Sequence, residues 1–495
     1  MKPYLFTAIL FLAACGKVDV PAEKAPAGSA TPPSPTGDGG KESSAQTDDG
    51  FPRAADAHFG HLPSTLIRKP HKIARIDRPS VVLIVIDTLN AKHMSTYGYE
   101  RPTTPRIDAL AQKGIRFTGY VSNSSWTRPS FTTIITGLPK REHGVELAKR
   151  DVDRDITTIA EYFRAAGYRT AGFVGNPLVR GVWGFNQGYQ VYGDTASMNK
   201  AFPPDGRVAQ LAVDWLKKNA DALFFLKIFF TAPHAPYRPL DSAKHFVNTV
   251  ERGTVVEYPF REYAQPMPRA DHEKTVAAYD DEVRYADAQV GRIVDALQEL
   301  GALSRTAIVV TADHGEVFGD HNCWQHTYHM WEAALRVPFV LYLPFSETTG
   351  LRDDRPFTHV DILPTLLDIA GIAPDGLRPA GLSIVDALAR NTDLSDRILL
   401  SQYNAHGIRR QAVRQGAFKL VHHHPVSADA LAHLNSLHED IPHEDPADLK
   451  TLATDGERWE FFDLAADPGE QRSLHTTMKE APAYPALMDA LQREL

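Results

Sequence analysis

The chain has 495 residues, 43% hydrophobic and 23% charged, the composition of a globular protein with room for one large α/β domain and a smaller one. A formal net charge of -8 excludes an extended nucleic-acid-binding surface, because affinity for a phosphate backbone needs concentrated lysine and arginine. A local basic pocket for a single oxyanion is compatible with that balance, and no nucleic-acid partner is expected.

At the N-terminus Lys2 precedes the apolar run Tyr4 to Ala14, which is too short to span a bilayer as a permanent helix. The run ends in Leu12-Ala13-Ala14-Cys15, which resembles a bacterial lipobox. That resemblance implies a signal peptide over residues 1–14 and acylation of Cys15, hence a membrane partner through the lipid anchor. Gly16 in place of aspartate points to the outer membrane of the cell envelope. Residues 15–78, with Thr31-Pro32-Pro33-Ser34-Pro35 and Asp38-Gly39-Gly40, carry too little apolar surface to offset ordering entropy and read as a flexible tether. Cys323 is then the only other cysteine, so no intramolecular disulfide is expected, and its role reads as a packed thiol.

Val81 to Ile86 is six β-branched or leucine residues in a row, the pattern of a strand buried on both faces of a parallel sheet. Leu223 to Phe230, Ala307 to Val310 and Val337 to Tyr342 repeat it. Between these runs lie helical patterns over Ile107–Lys113, Ile156–Ala166, Val208–Lys218 and His272–Leu300. Strands alternating with helices predict a doubly wound α/β domain, placed at residues 79–393, with ligands at the carboxyl ends of the strands. From 394 to 495 the character changes. Gly416–Val421 and Trp459–Leu464 predict short antiparallel strands in a smaller α+β subdomain. No internal repeats are present.

Asp87 ends the first buried run and Asp313-His314 follows another, so two carboxylates and an imidazole fall at strand ends. A carboxylate directly after six apolar residues is costly unless something positive meets it, and such a set suits a divalent cation. Taken singly, each aspartate could equally be a helix cap or half of a structural ion pair. Thr127-Arg128-Pro129-Ser130-Phe131, closed by Ile135-Thr136-Gly137, is the most informative stretch of the chain. It resembles the nucleophile loop of the sulfatases in the alkaline phosphatase superfamily: Cys or Ser, any residue, Pro, Ser, Arg, three residues, Leu-Thr-Gly. The resemblance extends from about Pro79 to Leu474, where Ala466-Asp467-Pro468-Gly469-Glu470 is similar to the family's closing motif.

The resemblance implies an alkaline-phosphatase-like fold: a mixed, mainly parallel sheet flanked by helices, with a short antiparallel sheet in the C-terminal subdomain. It implies a metal set of Asp87, Thr127, Asp313 and His314, with Thr127 as nucleophile. Sulfatases oxidise the nucleophile to formylglycine, but threonine could yield only a ketone, so no formylglycine is expected. Thr88 and His314 stand where sulfatases usually offer an acid and an asparagine. That softer set favours manganese or zinc over calcium or magnesium. His234, in Pro233-His234-Ala235-Pro236-Tyr237, resembles the family's substrate-contacting histidine, and His326 falls where the family's general acid stands. Asn176 and Arg128 are candidate substrate-binding residues, although a turn asparagine and a solvated arginine are the plainer readings. The expected function is hydrolysis of a phosphate, phosphonate or sulfate ester of a small molecule, glycan or lipid, with phosphorus favoured. A phosphoethanolamine- or glycerophosphate-type transferase, and an inactive lipoprotein binding anionic glycan or lipid, are the alternatives.

Overall fold

The structure is a computed structural model that describes residues 71–493 apart from 75, 147–148, 196–204, 238–245, 247–268, 327–328, 348, 374–378, 406, 431–455, 478 and 480. Cys15 and the expected signal peptide and tether up to residue 70 lie outside the described residues. The strands of the larger part are β1 (Ser80–Ile86), β2 (Ile115–Phe117), β3 (Arg169–Val174), β4 (Val191–Gly193), β5 (Phe224–Phe230), β6 (Thr306–Ala312), a small ribbon of β7 (Val317–Phe318) and β8 (Trp324–Gln325), then β9 (Phe339–Tyr342) and β10 (Leu351–Asp353). Eight of them form one sheet in the order β10-β2-β9-β6-β1-β5-β3-β4. Only β9 runs against the rest, so the sheet is mixed and mainly parallel, as the sequence predicts. The four predicted strands are β1, β5, β6 and β9. The others are short or carry fewer consecutive apolar residues, which is why a buried-run search passes over them. Pro338 stays outside the ladder, as a residue without an N–H must in an interior strand.

β1 lies between β5 and β6 at the sheet centre, and all seven of its residues are buried. Its register pairs Ile86 with Phe230 and Ala312, so the next residues, Asp87, Thr231 and Asp313, leave the sheet side by side. Side chains alternate across β5. Phe224 meets Trp215 of the helix Asp205–Asn219, while Phe225 and Phe229 meet Phe163 and Phe131 from helices on the opposite face. The layers are therefore helix, sheet, helix.

The smaller sheet is antiparallel, in the order β11 (Ile398–Ala405), β12 (Ile408–Gln415), β13 (Phe418–His423) and β14 (Arg458–Asp463). One face packs Ala412, Val421 and Phe462 against Met330 and Leu335; the other packs Val413, Leu420 and Phe461 against Leu487 and Leu491 of the terminal helix. A buried charge cluster fastens it, with Glu332 between Arg414 (2.6 Å) and Lys419 (3.2 Å), and Lys419 also on Glu470 (2.7 Å). His422 and His423 belong to β13 itself rather than to a loop after it. They are buried, and their Nε2 atoms meet Glu457 and Glu460.

Candidate active site

Thr127 opens the helix Thr127–Thr136, and every residue of that helix is buried. Gly137 ends it at φ 67°, where a Cβ would stand 2.7 Å from Leu363, so glycine is required both by the left-handed backbone and by space. The helix N-terminus carries partial positive charge, which favours an anion at the Thr127 position. Thr127 Oγ1 lies 3.2 Å from His314 Nε2. His314 Nδ1–H donates to the Gly315 carbonyl at 3.0 Å, which leaves Nε2 as the lone-pair nitrogen facing Thr127. The same Nε2 is 3.7 Å from Asp87 Oδ1 and 3.5 Å from Asp313 Oδ2. One ligand atom each from Asp87, Asp313 and His314 lies within 4.8 Å of the others.

Backbone and amide groups hold these side chains. Asp313 Oδ1 accepts from the N–H groups of His314 (2.9 Å) and Thr88 (3.3 Å). Thr88 sits at φ 56°, a conformation that costs a β-branched residue about 1–3 kcal/mol and marks a site the surroundings over-determine. Asn176 places its Oδ1 on the Leu178 N–H (2.7 Å) and its amide N–H on Asp87 Oδ2 (2.5 Å), so it orients a carboxylate. Two acceptor atoms remain, Asp87 Oδ1 and Asp313 Oδ2, fully buried with no hydrogen-bond partner among the described residues. Burial, and then Asp313, push the Asp87 carboxyl well above the usual carboxylate range; burial pushes Asp313 up to about 7. Two carboxylates this costly to ionise, aimed with an imidazole lone pair at one point, fit a divalent cation.

His326 and His234 close the other side. His326 lies 4.4 Å from the His314 ring and 5.1 Å from that of His234, centroid to centroid. Its Nδ1–H donates to Glu316 at 3.0 Å, and Glu316 also accepts from Tyr237 at 3.1 Å. A carboxylate on Nδ1 fixes the orientation of the ring. His234 donates to the Ala235 carbonyl at 2.6 Å, and burial followed by the His326 charge lowers its pKa to about 3, so it is neutral. Glu316 stands two residues after His314, yet nothing in the sequence gives it a role. Its partner His326 is ten residues away and meets it only through the β7–β8 ribbon. His359 is another hidden support, its Nε2 donating to Ala312 O at 3.0 Å just before Asp313.

Arg128, Cys323 and Phe131, with His329 and Arg336, have the following contacts. Arg128 is buried and donates from Nε to the Leu178 carbonyl at 3.2 Å. His329 is buried and stacked on Trp331 (4.5 Å). Cys323 is half-buried beside the small cluster of Val317, Ala333 and Ala334. Arg336 donates to the Thr118 carbonyl at 2.7 Å, a structural contact. Phe131 is fully buried and stacked on Phe229 at 4.6 Å, with Lys227 Nζ 4.6 Å from its ring. The position that resembles the family arginine therefore serves the core, and burial holds the Lys227 amine well below its usual pKa. Truncation of Phe131 to alanine is expected to cost about 3–5 kcal/mol in denaturant unfolding; a loss under about 1 kcal/mol would show that this ring is not core.

The Sulfatase family model matches residues 79–372. A sulfatase of Formosa agariphila is 26% identical over 403 residues, covering 68% of this chain and 78% of its own. A structure solved with its substrate D-glucosamine-2-N,6-O-disulfate superposes with TM-score 0.66 at 20% identity, covering 84% of this chain and 97% of that one. The phosphonate monoester hydrolase of Agrobacterium radiobacter gives the same TM-score and identity over 84% and 95%. At such identities the two structures speak for the fold. The family model spans the sheet and the site built on it, and this chain is a member of the sulfatase family of ester hydrolases.

Proposed function

We propose that this enzyme hydrolyses phosphate, phosphonate or sulfate esters through direct attack by Thr127, with phosphorus esters preferred. The observation that carries the reading is the convergence of Thr127 Oγ1 and the unpartnered Asp87 and Asp313 oxygens on His314 Nε2. Asp87, Asp313, His314 and Thr127 would hold one divalent metal, manganese or zinc by the donor set. Bound there, such an ion lowers the pKa of a coordinated hydroxyl and polarises the ester oxygen. The remaining steps belong to the chain. Thr127 gives up its hydroxyl proton to solvent, its Oγ1 bonds to the phosphorus or sulfur as the ester bond to the departing oxygen breaks, and His326 in its protonated form gives its Nε2 proton to that oxygen. Water deprotonated by a histidine then cleaves the threonyl ester. Asn176 keeps Asp87 oriented through both steps.

The β-methyl of Thr127 bars oxidation to an aldehyde, so the peptide containing it is expected to show the mass of unmodified threonine. Turnover of aryl phosphates, phosphonates and sulfates with metal add-back tests the preference, and sulfate turnover with negligible phosphoester turnover would overturn it. For His326→Gln, kcat is expected to fall about 10²–10⁴-fold with a poor alkyl leaving group and much less with nitrophenol, since only the former needs protonation. Equal losses for both would remove His326 from the acid role. We further place the protein on the cell envelope through acylated Cys15, with residues 15–78 as tether, 79–393 as catalytic domain and 394–495 as subdomain; metabolic labelling lost in Cys15→Ser is the check.

A further inference from the structure

We propose that Arg128, flanked by Trp126 and Trp183, receives a second oxyanion of the substrate, separate from the ester under attack. Arg128 follows Thr127 in the chain and is 1% exposed. Its Nε is committed to the carbonyl of Leu178, two residues beyond the asparagine that orients Asp87. Its Nη2 is buried with no partner among the described residues. The guanidinium carbon stands 4.6 Å from the Trp183 ring and 5.9 Å from that of Trp126. No described carboxylate lies within ion-pair distance of it, and the charges that act on it are those of Arg150 and Asp151.

A buried guanidinium with no direct ion pair among the described residues is a cost that ring faces and the more distant Asp151 offset only in part. A carboxylate, sulfate or phosphate on the substrate would satisfy the outer N–H groups, since the planar fork matches such oxygens. Thr127, the strand-end acids and the two histidines already surround the reacting group, so this anion is a second one. The substrate class is therefore an ester whose leaving part bears its own negative charge, such as an acidic or doubly sulfated sugar. The inference rests on Thr127 marking the reacting position.

The test uses three aryl esters of whichever type the enzyme turns over best: plain, ring-carboxylated and ring-sulfonated. The wild type is expected to prefer at least one charged ester by about tenfold in kcat/KM, the worth of one charge-assisted hydrogen bond. Arg128→Gln is expected to bring that ratio to about one, and Arg128→Lys to an intermediate value. Which charged ester gains tells a carboxylate from a sulfate-like group. A ratio that Arg128→Gln leaves unchanged, or a wild type without preference, overturns the proposal. Binding of 4-hydroxybenzoate, which has no scissile ester, is measured in the Thr127→Ala background and is expected to weaken when Arg128→Gln is added. An active Thr127→Ala enzyme would end the nucleophile reading while the Arg128 ratio still stands as its own result. If Arg128→Gln does not fold, Arg128→Lys carries the ratio test.

Discussion

Thr127→Ala is expected to lower kcat/KM by at least about 10³-fold, because it removes the atom that would form the covalent ester. The change is small in every other respect. Thr127 is the first residue of a buried helix, and alanine keeps the helical backbone and omits one methyl and one hydroxyl. Asp87, Asp313 and His314 retain their own partners, the Asn176 amide, the Thr88 and His314 N–H groups and the Gly315 carbonyl. Three of the four residues that would hold the metal remain, so a reduced metal-induced stabilisation should persist, which separates a chemical defect from a folding one. Thr127→Ser keeps the hydroxyl and is expected to stay within about tenfold of wild type. An alanine variant that retains a tenth of the activity would show that the attacking oxygen comes from elsewhere, water first among the candidates.

Much of this site could be read from the chain because its parts sit at the ends of obvious strands. Asp87 directly follows an apolar run and Asp313 follows one broken only by Thr311, and in a parallel sheet such runs end at one edge, so their meeting follows from topology. The short strands were harder to see. β2 and β4 have three residues each, and pairing with β9 and β10 for β2 and with β3 for β4, not local pattern, stabilises them. Asn176 was legible as a special residue but not as the support of Asp87, since a sequence cannot say which way an amide turns. The histidines after the predicted strand Gly416–Val421 show the opposite case. His422 and His423 continue β13, where His422 pairs with and stacks on Trp459 and His423 meets the Glu460 side chain. Phe131 was visible as a departure from the family loop, and only packing shows that its ring continues the aromatic stack on Phe229.

Metal removal is expected to abolish turnover, and Asp313→Asn to do the same by at least about 10³-fold, while the two separate cleanly in stability. In the metal-free wild type two buried carboxylates face each other with unpartnered oxygens. An asparagine at 313 removes one of the two charges, so the metal-free variant should be at least as stable as the metal-free wild type. Adding metal at a hundred times its Kd should raise the wild-type Tm by roughly 3–4 °C and leave the variant nearly unmoved. pH gives the sign. Burial raises both carboxyls in the folded state, Asp313 to about 7, above their unfolded values near 4. Between those values the folded metal-free protein binds more protons than the unfolded chain, so its stability falls as pH rises from about 4 to 7. A cation must displace those same protons, so its stabilising effect grows over the same interval and is largest above pH 7. A metal-induced Tm shift that is equal at pH 5 and pH 8, or that persists in Asp313→Asn, would place the ion elsewhere in the protein.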